Sequence, residues 1–399
     1  MNDTIVPELV RPDSPLLFPV GLATRNGHAS VAGLPNVEPH IRNTRVVEIV
    51  DRDQWNELVV GRSGHDLGQG WEWGDVQRDA GWTPHRYAML AGTECVAAVS
   101  VACRRLPGLP YSVLYASRGP LLDWADERAW RGLLPVVRQL ADRHRAIFLR
   151  VSPRAPHDDA GVRHALARHG FRPLREDWTT WNAPRVVVTL SLEGDEETLH
   201  RRLRKGLRRD LAAAQRRGAT VRVATNRADL LAFHRLMVTA GREKGYPVRR
   251  LARLEALWRA YVARGDGVVL LTEHEGALIG GLLGIRFGRV AYLHRAAILR
   301  SVEGQRLHQG PLMYWEFIRW AKAAGCEVLD WGGSGTRFPP SEKDQGYGVY
   351  QFKAGFGSDL EYQIPYHDLV FRPALYRLAR AAESWALPGA WRVRAWLNH

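Results

Sequence analysis

The sequence has few of the features that mark secreted, metal-binding or membrane-spanning proteins. Its 399 residues include only three cysteines, Cys95, Cys103 and Cys326, which are scattered and show neither a disulfide framework nor zinc-type spacing. No uninterrupted apolar run is long enough to span a bilayer, and the first residues lack the basic and apolar blocks of a secretory signal. We therefore expect a cytoplasmic protein without a bound metal or an integral membrane segment.

Acidic residues are also scarce relative to basic ones. The chain has 56 lysines and arginines against 42 aspartates and glutamates, for a net charge of +14 and a sequence pI near 10.1. A strongly basic surface favours polyanionic partners such as nucleic acids. An arginine-rich composition contributes to the same excess, so charge alone leaves a nucleic-acid partner open.

Several common catalytic motifs are missing. The glycine-rich residues 332–335 lack the Gly-Lys-Ser/Thr ending of a phosphate-binding loop, and we interpret them as a turn. No Gly-x-Ser-x-Gly nucleophile elbow occurs. Residues 307–311 keep one glycine of the loop that binds coenzyme A in ordinary N-acyltransferases, which disfavours that cofactor.

The apolar periodicity predicts helices and strands that alternate in the same order in both halves of the chain. Residues 45–190 and 191–365 each show a strand hairpin, a further strand, a helix and another strand. This order predicts an α/β (α+β) fold of two tandem domains of the GNAT type, the fold of acyl-CoA N-acyltransferases. Residues 1–44 are predicted to form a disordered or extended arm, and residues 366–399 are predicted to form helices that pack back on the first domain.

Residues 196–217 are predicted to form one long helix with a basic surface. Leucines recur every four residues and mark its buried stripe, namely Leu199, Leu203, Leu207 and Leu211. Almost no acids alternate with the surrounding bases, so their mutual repulsion is not relieved locally. A phosphate backbone would relieve it, whereas the alternative is a solvated face. The basic residues singled out are Arg204, Lys205, Arg208 and Arg209.

The most informative stretch is the run Tyr-Gln-Phe-Lys-Ala-Gly-Phe-Gly at residues 350–357. It places Lys353 between aromatic residues and then supplies two glycines, which let a backbone turn tightly and approach a ligand. A lysine ammonium donates well to a phosphate or to a developing oxyanion. The run resembles the signature near the end of the FemABX family, which are aminoacyl-tRNA-dependent transferases that add amino acids to the peptide of peptidoglycan precursors.

This likeness covers roughly residues 69–376 and rests on an ordered set of motifs rather than on any single one. In chain order they are the Gln-Gly-Trp-Glu-Trp helix start at 69–73, the Ser-Arg-Gly-Pro turn at 117–120, a strand ending in Ser-Pro at 152–153 where the family has Asp-Pro, the basic helix running into Gly218, the Asp-Trp-Gly-Gly strand end at 330–333, and the 350–357 run. The resemblance is to members without a coiled-coil arm.

The resemblance implies a groove between the two domains in which an acceptor amine meets an aminoacyl ester. The donor is aminoacyl-tRNA and no cofactor is expected, because the ester is already activated and the enzyme mainly has to position the amine. Lys353 matches the lysine that family members need, and Phe352 is assigned to the catalytic site with it. The four basic residues of the predicted helix would then bind the tRNA.

The family's acceptor is a UDP-linked or lipid-linked muropeptide, and the lipid-linked form leaves transient contact with a membrane surface open. Arg249 and Arg250 match the position where the family contacts the acceptor's diphosphate, which suits guanidinium groups near a helix start. Tyr292 and His294 alternate on a predicted strand and share a face. The family has tyrosines on this strand near its acceptor, so the resemblance implies acceptor binding for this face. The alternative for His294, favoured over a catalytic role, is an ordinary core or surface histidine.

Trp73 and Gln77 belong to the early helix and are assigned to acceptor binding. Gln77 stands where the family often has a lysine that contacts the precursor's phosphate, and glutamine cannot supply that charge, although the adjacent Arg78 could. The departure favours an alternative acceptor, a natural-product (antibiotic) peptide scaffold modified by the same tRNA-dependent chemistry. Two alternatives from other classes are an acyl-CoA N-acyltransferase in polysaccharide assembly and a non-catalytic nucleic-acid-binding protein that uses the basic helix.

Overall fold

The computed structural model describes residues 44–174, 184–299 and 307–385. The predicted N-terminal arm, apart from Thr44, and the end of the predicted C-terminal region at 386–399 lie outside the described residues. No helix within the described ranges is both long and apolar enough to cross a bilayer.

The first half of the chain builds one β-sheet with helices on it. Its strands are β1 Thr44–Glu48, β2 Thr83–Ala91, β3 Glu94–Arg105, β4 Ser112–Arg118, β5 Leu121–Leu122, β6 Ala146–Pro153 and β7 Phe171–Pro173. Its helices are α1 Arg52–Val60, α2 Trp71–Arg78, α3 Glu127–Arg143 and α4 Ala160–Arg168. Antiparallel neighbours run from β1 to β4, and β4 then pairs with β6 in parallel. The apolar face of α3 packs on this sheet through Trp130, Leu133, Val137 and Leu140.

The second half repeats this plan. Its strands are β8 Val186–Ser191, β9 Thr220–Val223, β10 Gly267–His274, β11 Ala277–Phe287, β12 Val290–Ile298, β13 Val328–Gly333 and β14 Asp359–Tyr362, in the order β14-β8-β13-β12-β11-β10-β9. Its helices are α5 Glu196–Arg202, α6 Lys205–Arg216, α7 Arg227–Lys244, α8 Leu251–Ala260, α9 Gln309–Ala323 and α10 Tyr347–Ala354. Again one neighbouring pair, β12 with β13, is parallel. The repeated order of elements predicted from the sequence is therefore present.

The chain crosses between the two sheets near their predicted limits. Strand β8 pairs with β13 and β14, so the predicted limit after residue 190 falls inside a strand of the second sheet. In the other direction, β15 His367–Val370 inserts between β6 and β7, and α11 Pro373–Trp385 packs on Ile147 and Phe148. The domain limits stay a prediction, but the final strand ties the end of the second half into the first sheet.

The basic segment forms two helices, so the prediction of one helix over residues 196–217 was wrong. The chain is extended at Leu203 and Arg204, with ψ values of 135° and 140°. The Arg204 N–H donates to the Gly355 carbonyl at 2.8 Å, and this tertiary bond replaces a helical one. The leucine stripe is nevertheless buried as predicted, each leucine being at most 4% exposed. Apolar periodicity survives the break because both helices cover the same core.

One hydrophobic core is shared by the two halves. Trp55 and Val59 of α1 pack in the same buried cluster as Ile285 and Phe287 of β11. The Tyr292 hydroxyl of β12 accepts a hydrogen bond from the Leu67 N–H at 3.2 Å. These buried contacts hold the two sheets together at the base of the groove between them.

Candidate active site

A cavity of about 740 Å³ opens between the two halves. The first half contributes residues 66–68, Trp73 and the end of β4, and the second half contributes α8, β12, β13 and α10. The size is ample for part of a peptide or nucleotide ligand. The groove implied by the family resemblance is thus present, and its walls come from both halves.

Lys353 lies in this cavity near the end of α10 and is only 5% exposed. Its ammonium Nζ donates to the Trp331 carbonyl at 2.7 Å and to the Gly333 carbonyl at 2.8 Å. Burial lowers the pKa of Lys353 to about 8, against the opposing effect of Asp330. Among the described residues these two carbonyls are its acceptors, so the ammonium keeps a third N–H for a ligand. The geometry is that of an oriented cationic donor.

The glycines after Lys353 serve packing rather than ligand approach. A Cβ added at Gly355 would lie 2.7 Å from Leu207 Cδ1, and one at Gly357 would lie 3.0 Å from Arg202 Cβ. Gly357 also has φ +81°, which disfavours other residues. The expectation that these glycines bring the backbone close to a ligand was therefore wrong. They let α10 end directly against α5 and α6.

An aromatic wall supports the lysine. Phe352 lines the cavity and meets the Tyr314 ring edge-on at 4.9 Å between centroids. Tyr314 in turn stacks on Trp331 at 5.3 Å. Burial raises the pKa of the Tyr314 hydroxyl well above its usual range, so this side chain stays neutral. Phe352 is placed to shape the space beside the ammonium.

Three carboxylates surround Arg154, and the sequence analysis did not predict this cluster. Arg154 Nη1 donates to Asp330 Oδ2 at 3.0 Å and to Asp66 Oδ2 at 3.2 Å. Its Nη2 donates to Glu361 Oε2 at 3.3 Å. Burial raises the pKa of Asp330, and Asp66 acts in the same direction, whereas Arg154 opposes both. Asp66 and Asp330 line the cavity from opposite halves of the molecule.

Basic side chains gather elsewhere on the cavity wall, and they are Lys244, Arg249, Arg253 and Arg295. Arg253 donates to the Val76 carbonyl and to Gln77 Oε1, the latter at 2.9 Å. Arg295 Nη1 donates to the His294 carbonyl at 2.9 Å. Burial, assisted by neighbouring arginines, lowers the pKa of both Arg253 and Arg295 to about 10. A bound anion would relieve this crowding of like charges.

The structure brings six of the predicted site residues into the cavity wall: Trp73, Arg249, Tyr292, His294, Phe352 and Lys353. Arg250 is exposed and does not line the cavity, since adjacent residues at a helix start point in different directions. Gln77 is buried behind the wall, where it orients Arg253 instead of facing a ligand. The geometry therefore does not support direct contact of Arg250 or Gln77 with a substrate.

His294 is a neutral group in this site. Burial lowers its pKa well below the usual range, and the cations of Arg295, Arg253 and Arg249 add to the effect. Its ring meets Trp73 edge-on at 5.7 Å. His294 also occupies a β-bulge, because Leu283 faces Arg295 while Gly284 faces Leu293. The bulge breaks strict alternation, so that residues 293–296 all line the cavity.

The four predicted RNA-binding residues lie outside the cavity, around the start of α6. Arg204, Lys205 and Arg209 are exposed, and Arg208 is half-buried with Nη1 donating to the Arg201 carbonyl at 2.8 Å. The bond from Arg204 to Gly355 places this basic surface next to the end of the lysine-bearing helix α10. An anionic ligand on these helices would thus lie beside the helix that holds Lys353.

Comparisons with known sequences place the chain among transferases. The FemAB family matches residues 60–271, and an acetyltransferase (GNAT) domain matches residues 201–352. The lipid II:glycine glycyltransferase of Staphylococcus saprophyticus is 22% identical over 381 residues, covering 78% of this chain and 90% of the relative. The protein of the same name from Staphylococcus aureus strain USA300 is 22% identical over 406 residues, covering 82% and 94%.

Solved structures agree on the fold. The crystal structure of FemX is similar with a TM-score of 0.77 at 19% identity, covering 84% of this chain and 99% of that one. A tandem GNAT protein from the clavulanic acid biosynthesis pathway is similar with a TM-score of 0.51 at 16% identity, covering 82% and 98%. The prediction of two tandem GNAT-type domains is confirmed.

Proposed function

This chain belongs to the FemAB family, and on that premise we propose that it transfers an aminoacyl group from a charged tRNA to an amine of a peptidoglycan-precursor peptide in the cytoplasm. Its Staphylococcus relatives are named lipid II:glycine glycyltransferases. Those names support aminoacyl transfer in peptidoglycan assembly as the reaction class. The tRNA donor and the exact form of the acceptor are the finer parts of the proposal.

The oriented ammonium of Lys353 is the observation that carries the proposal. In the reaction the acceptor amine attacks the ester carbonyl carbon, a C–N bond forms, and negative charge develops on the carbonyl oxygen. The C–O bond to the ribose then breaks, and the ribose oxygen takes up the proton that the amine loses. An ammonium already fixed by two carbonyls can stabilise the oxyanion, or the leaving oxygen, with little reorganisation. An activated ester requires mainly this positioning.

The basic part of the cavity suits an acceptor that carries phosphate. Among the described residues, Arg253 and Arg295 hydrogen-bond to neutral acceptors, so their charges are not neutralised by those bonds. A diphosphate, as found in nucleotide-linked or lipid-linked precursors, would accept charge-assisted hydrogen bonds from them. The peptide attached to that diphosphate would then extend through the cavity towards Lys353.

Arg253 makes up for the charge that Gln77 lacks. The Gln77 Oε1 atom holds one guanidinium nitrogen at 2.9 Å, and the Val76 carbonyl holds another. The departure from the family pattern at residue 77 had favoured a different class of acceptor. With Arg253 in the cavity wall, a cation is present, and the argument for a natural-product scaffold loses its main support.

Replacing Arg253 by methionine is expected to raise the KM for a UDP-linked muropeptide by about 10- to 100-fold, the cost of losing a hydrogen bond between charged groups. Methionine keeps most of the side-chain volume beside Trp73, so the cavity wall should persist. Steady-state kinetics with the donor saturating would measure the effect. Arg250→Met is the matched control and should leave KM unchanged, since Arg250 is exposed and outside the cavity. An equal loss with a phosphate-free pentapeptide would contradict the assignment.

The exposed bases on α5 and α6 suit the phosphate backbone of the tRNA. They lie next to the end of α10, so a bound acceptor stem would have its 3′ end near Lys353. Arg209 forms an exposed ion pair with Asp210 at 3.4 Å, and such a solvent-screened pair is weak enough to be exchanged for a phosphate. Both the location and the charge therefore support a donor-binding role.

Neutralising these bases should weaken tRNA binding in a salt-dependent way. We expect the variant with Arg204, Lys205, Arg208 and Arg209 all changed to glutamine to bind charged tRNA more weakly. The slope of log affinity against log salt should fall by about 0.7–0.9 for each phosphate that the variant no longer neutralises. Filter binding across a KCl series would measure it. Arg289→Gln, an exposed arginine in the turn between β11 and β12, is the control, and an unchanged slope in the quadruple variant would rule out phosphate binding at the four bases.

The decisive experiment for the function is incubation of the enzyme with a total pool of charged tRNAs and either UDP-linked or lipid-linked muropeptide, followed by mass spectrometry. We expect the acceptor to gain the mass of one or more aminoacyl residues, and ribonuclease treatment of the donor to abolish the gain. Transfer that resists ribonuclease and instead consumes acetyl-CoA would overturn the proposal in favour of an acyl-CoA transferase.

A further inference from the structure

A continuous series of polar contacts links the first half of the molecule to Lys353. Arg154 follows β6 in the first half, and its guanidinium reaches the Asp330 carboxylate on β13 in the second half at 3.0 Å. The other oxygen of that carboxylate, Oδ1, accepts the Gly332 N–H at 2.7 Å. Residue 332 lies between Trp331 and Gly333, whose carbonyls hold the Lys353 ammonium. Each member of this series is therefore oriented by the one before it.

We propose that Arg154 is a positioning residue that acts through Asp330, so that the orientation of the Lys353 ammonium depends on contact between the two halves. This inference rests on the proposed function, in which that ammonium stabilises charge during aminoacyl transfer. The family match and the residue types of the 350–357 run do not assign any role to Arg154 or Asp330.

The glycine turn shows why an external support is needed. Gly332 has φ +72°, and a turn of this kind has no side chain of its own to hold it. The Asp330 side chain bridges its own turn by accepting the N–H two residues later, which is a common way for aspartate to fix a turn. With the turn held, the two carbonyls on either side of Gly332 converge on one ammonium.

Arg154 favours the ionised form of the Asp330 carboxylate, against the effect of burial, and holds it in place. Asp330 is buried at 6% exposure, and Asp66 from the first half binds the same guanidinium nitrogen at 3.2 Å. Without the guanidinium, two neighbouring carboxylates would repel each other across the cleft. Glu361, bonded to the second nitrogen at 3.3 Å, completes a charge cluster that draws on both halves. The cluster therefore fixes the relative position of the halves at the point where the reaction takes place.

Asp330 is also the charge that acts on Lys353. The ionisable groups that line the cavity together with the lysine are Asp66, Arg118, Lys244, Tyr246, Arg249, Arg253, Tyr292, His294, Arg295, Tyr314 and Asp330. Burial raises the pKa of the three tyrosines and lowers the pKa of His294, which keeps these four groups neutral. Asp330 raises the pKa of Lys353 against the larger lowering by burial. Removing the Asp330 charge should therefore make the ammonium lose its proton at lower pH.

A double-mutant cycle tests the route of action. We expect Arg154→Met and Asp330→Asn each to lower kcat at least about 10-fold with little change in the KM for UDP-linked muropeptide. The double variant should be no worse than Asp330→Asn alone, because coupled groups are not additive. Additive losses in kcat would overturn the proposal. Arg154→Lys keeps the test usable if the methionine variant does not fold, since one ammonium cannot reach all three carboxylates and should give an intermediate kcat.

A second measurement does not depend on activity. Competitive labelling of the free enzyme with acetic anhydride across a pH series, read by mass spectrometry of the Lys353 peptide, reports the pKa of Lys353. We expect the midpoint near 8 in the unmodified protein and at a lower pH in Asp330→Asn. A midpoint that stays the same in Asp330→Asn would overturn the coupling between Asp330 and the lysine.

Arg222→Met is the matched control, because Arg222 also joins two carboxylates, Asp229 at 2.8 Å and Glu273 at 2.9 Å, and does not line the cavity. It should leave both kcat and the labelling midpoint unchanged. The activity of Lys353→Met distinguishes failure of the proposed function from failure of the positioning role of Arg154. Full activity in Lys353→Met would overturn the proposed role of the lysine and this inference together, whereas an inactive Lys353→Met with additive losses at Arg154 and Asp330 would overturn this inference alone.

Discussion

Replacing Lys353 by methionine should lower kcat for aminoacyl transfer by about 10²- to 10³-fold, the loss typical of removing one oxyanion donor. Methionine retains the buried stem of the side chain but cannot donate to the carbonyl oxygen on which charge develops. Binding of either substrate should change little, because the donor is most needed in the transition state. Single-turnover transfer from charged tRNA to UDP-linked muropeptide measures this step directly.

The pH dependence provides the control for this prediction. Because burial lowers the pKa of Lys353 to about 8, the rate should fall as the pH rises through 8 and the ammonium loses its proton. The acceptor amine has the opposite effect, since deprotonation makes it a nucleophile. Lys353→Arg keeps its charge at all these pH values, so its residual activity should lack the fall above pH 8. An unimpaired methionine variant, or the same alkaline fall in Lys353→Arg, would exclude the catalytic assignment.

We expect Arg150→Met to lower the free energy of unfolding by about 3–5 kcal/mol, the cost of leaving a buried charge without its partner. Arg150 is 1% exposed and binds Asp368, which is fully buried, through two hydrogen bonds of 2.8 and 2.7 Å. It also binds Glu383 of α11 at 2.9 Å. The substitution would leave the Asp368 carboxylate buried without this cation on β15, between β6 and β7.

Urea unfolding of the purified protein would measure this loss, with two comparisons. Arg150→Met combined with Asp368→Leu should recover much of the stability, since a buried ion pair is often replaceable by apolar groups of similar volume. Arg227→Met, which removes an exposed ion pair with Glu255, should change stability by no more than about 1 kcal/mol. If Arg150→Met lowered the free energy of unfolding by less than about 1 kcal/mol, the Arg150–Asp368 pair would not be what holds β15 and α11 on the sheet.

Residue patterns were sufficient for the parts of the site that depend on neighbours in sequence. The run around Lys353, and the alternation of Tyr292 and His294 along a strand, identified side chains that do line the cavity. The same patterns led to errors where a tertiary contact changed the local geometry. The bond from Arg204 to Gly355 interrupts the predicted long helix. Residue 355 is a glycine because a side chain there would collide with Leu207, and not because the backbone approaches a ligand at that position.

The residues that were missed owe their position to distant parts of the chain. Arg295 faces the cavity because of a bulge at His294, which ordinary strand alternation does not predict. Arg253 is oriented by Gln77, 176 residues earlier. Arg154 meets Asp330, also 176 residues away, and nothing near either residue indicates the other. Charged pairs of this kind become visible only once both halves are folded.

The amino-acid sequence by itself determined the family, the repeated order of strands and helices, and the lysine at the centre of the proposed reaction. Those properties follow from periodicity and short motifs, which operate over a few residues. The tertiary structure alone decided which arginines face the cavity, which helix breaks, and how the first half supports the turn that holds Lys353. Such contacts depend on the packing of two sheets around a shared core. Close packing brings together side chains that are far apart in the sequence, and no local sequence pattern predicts which of them will meet.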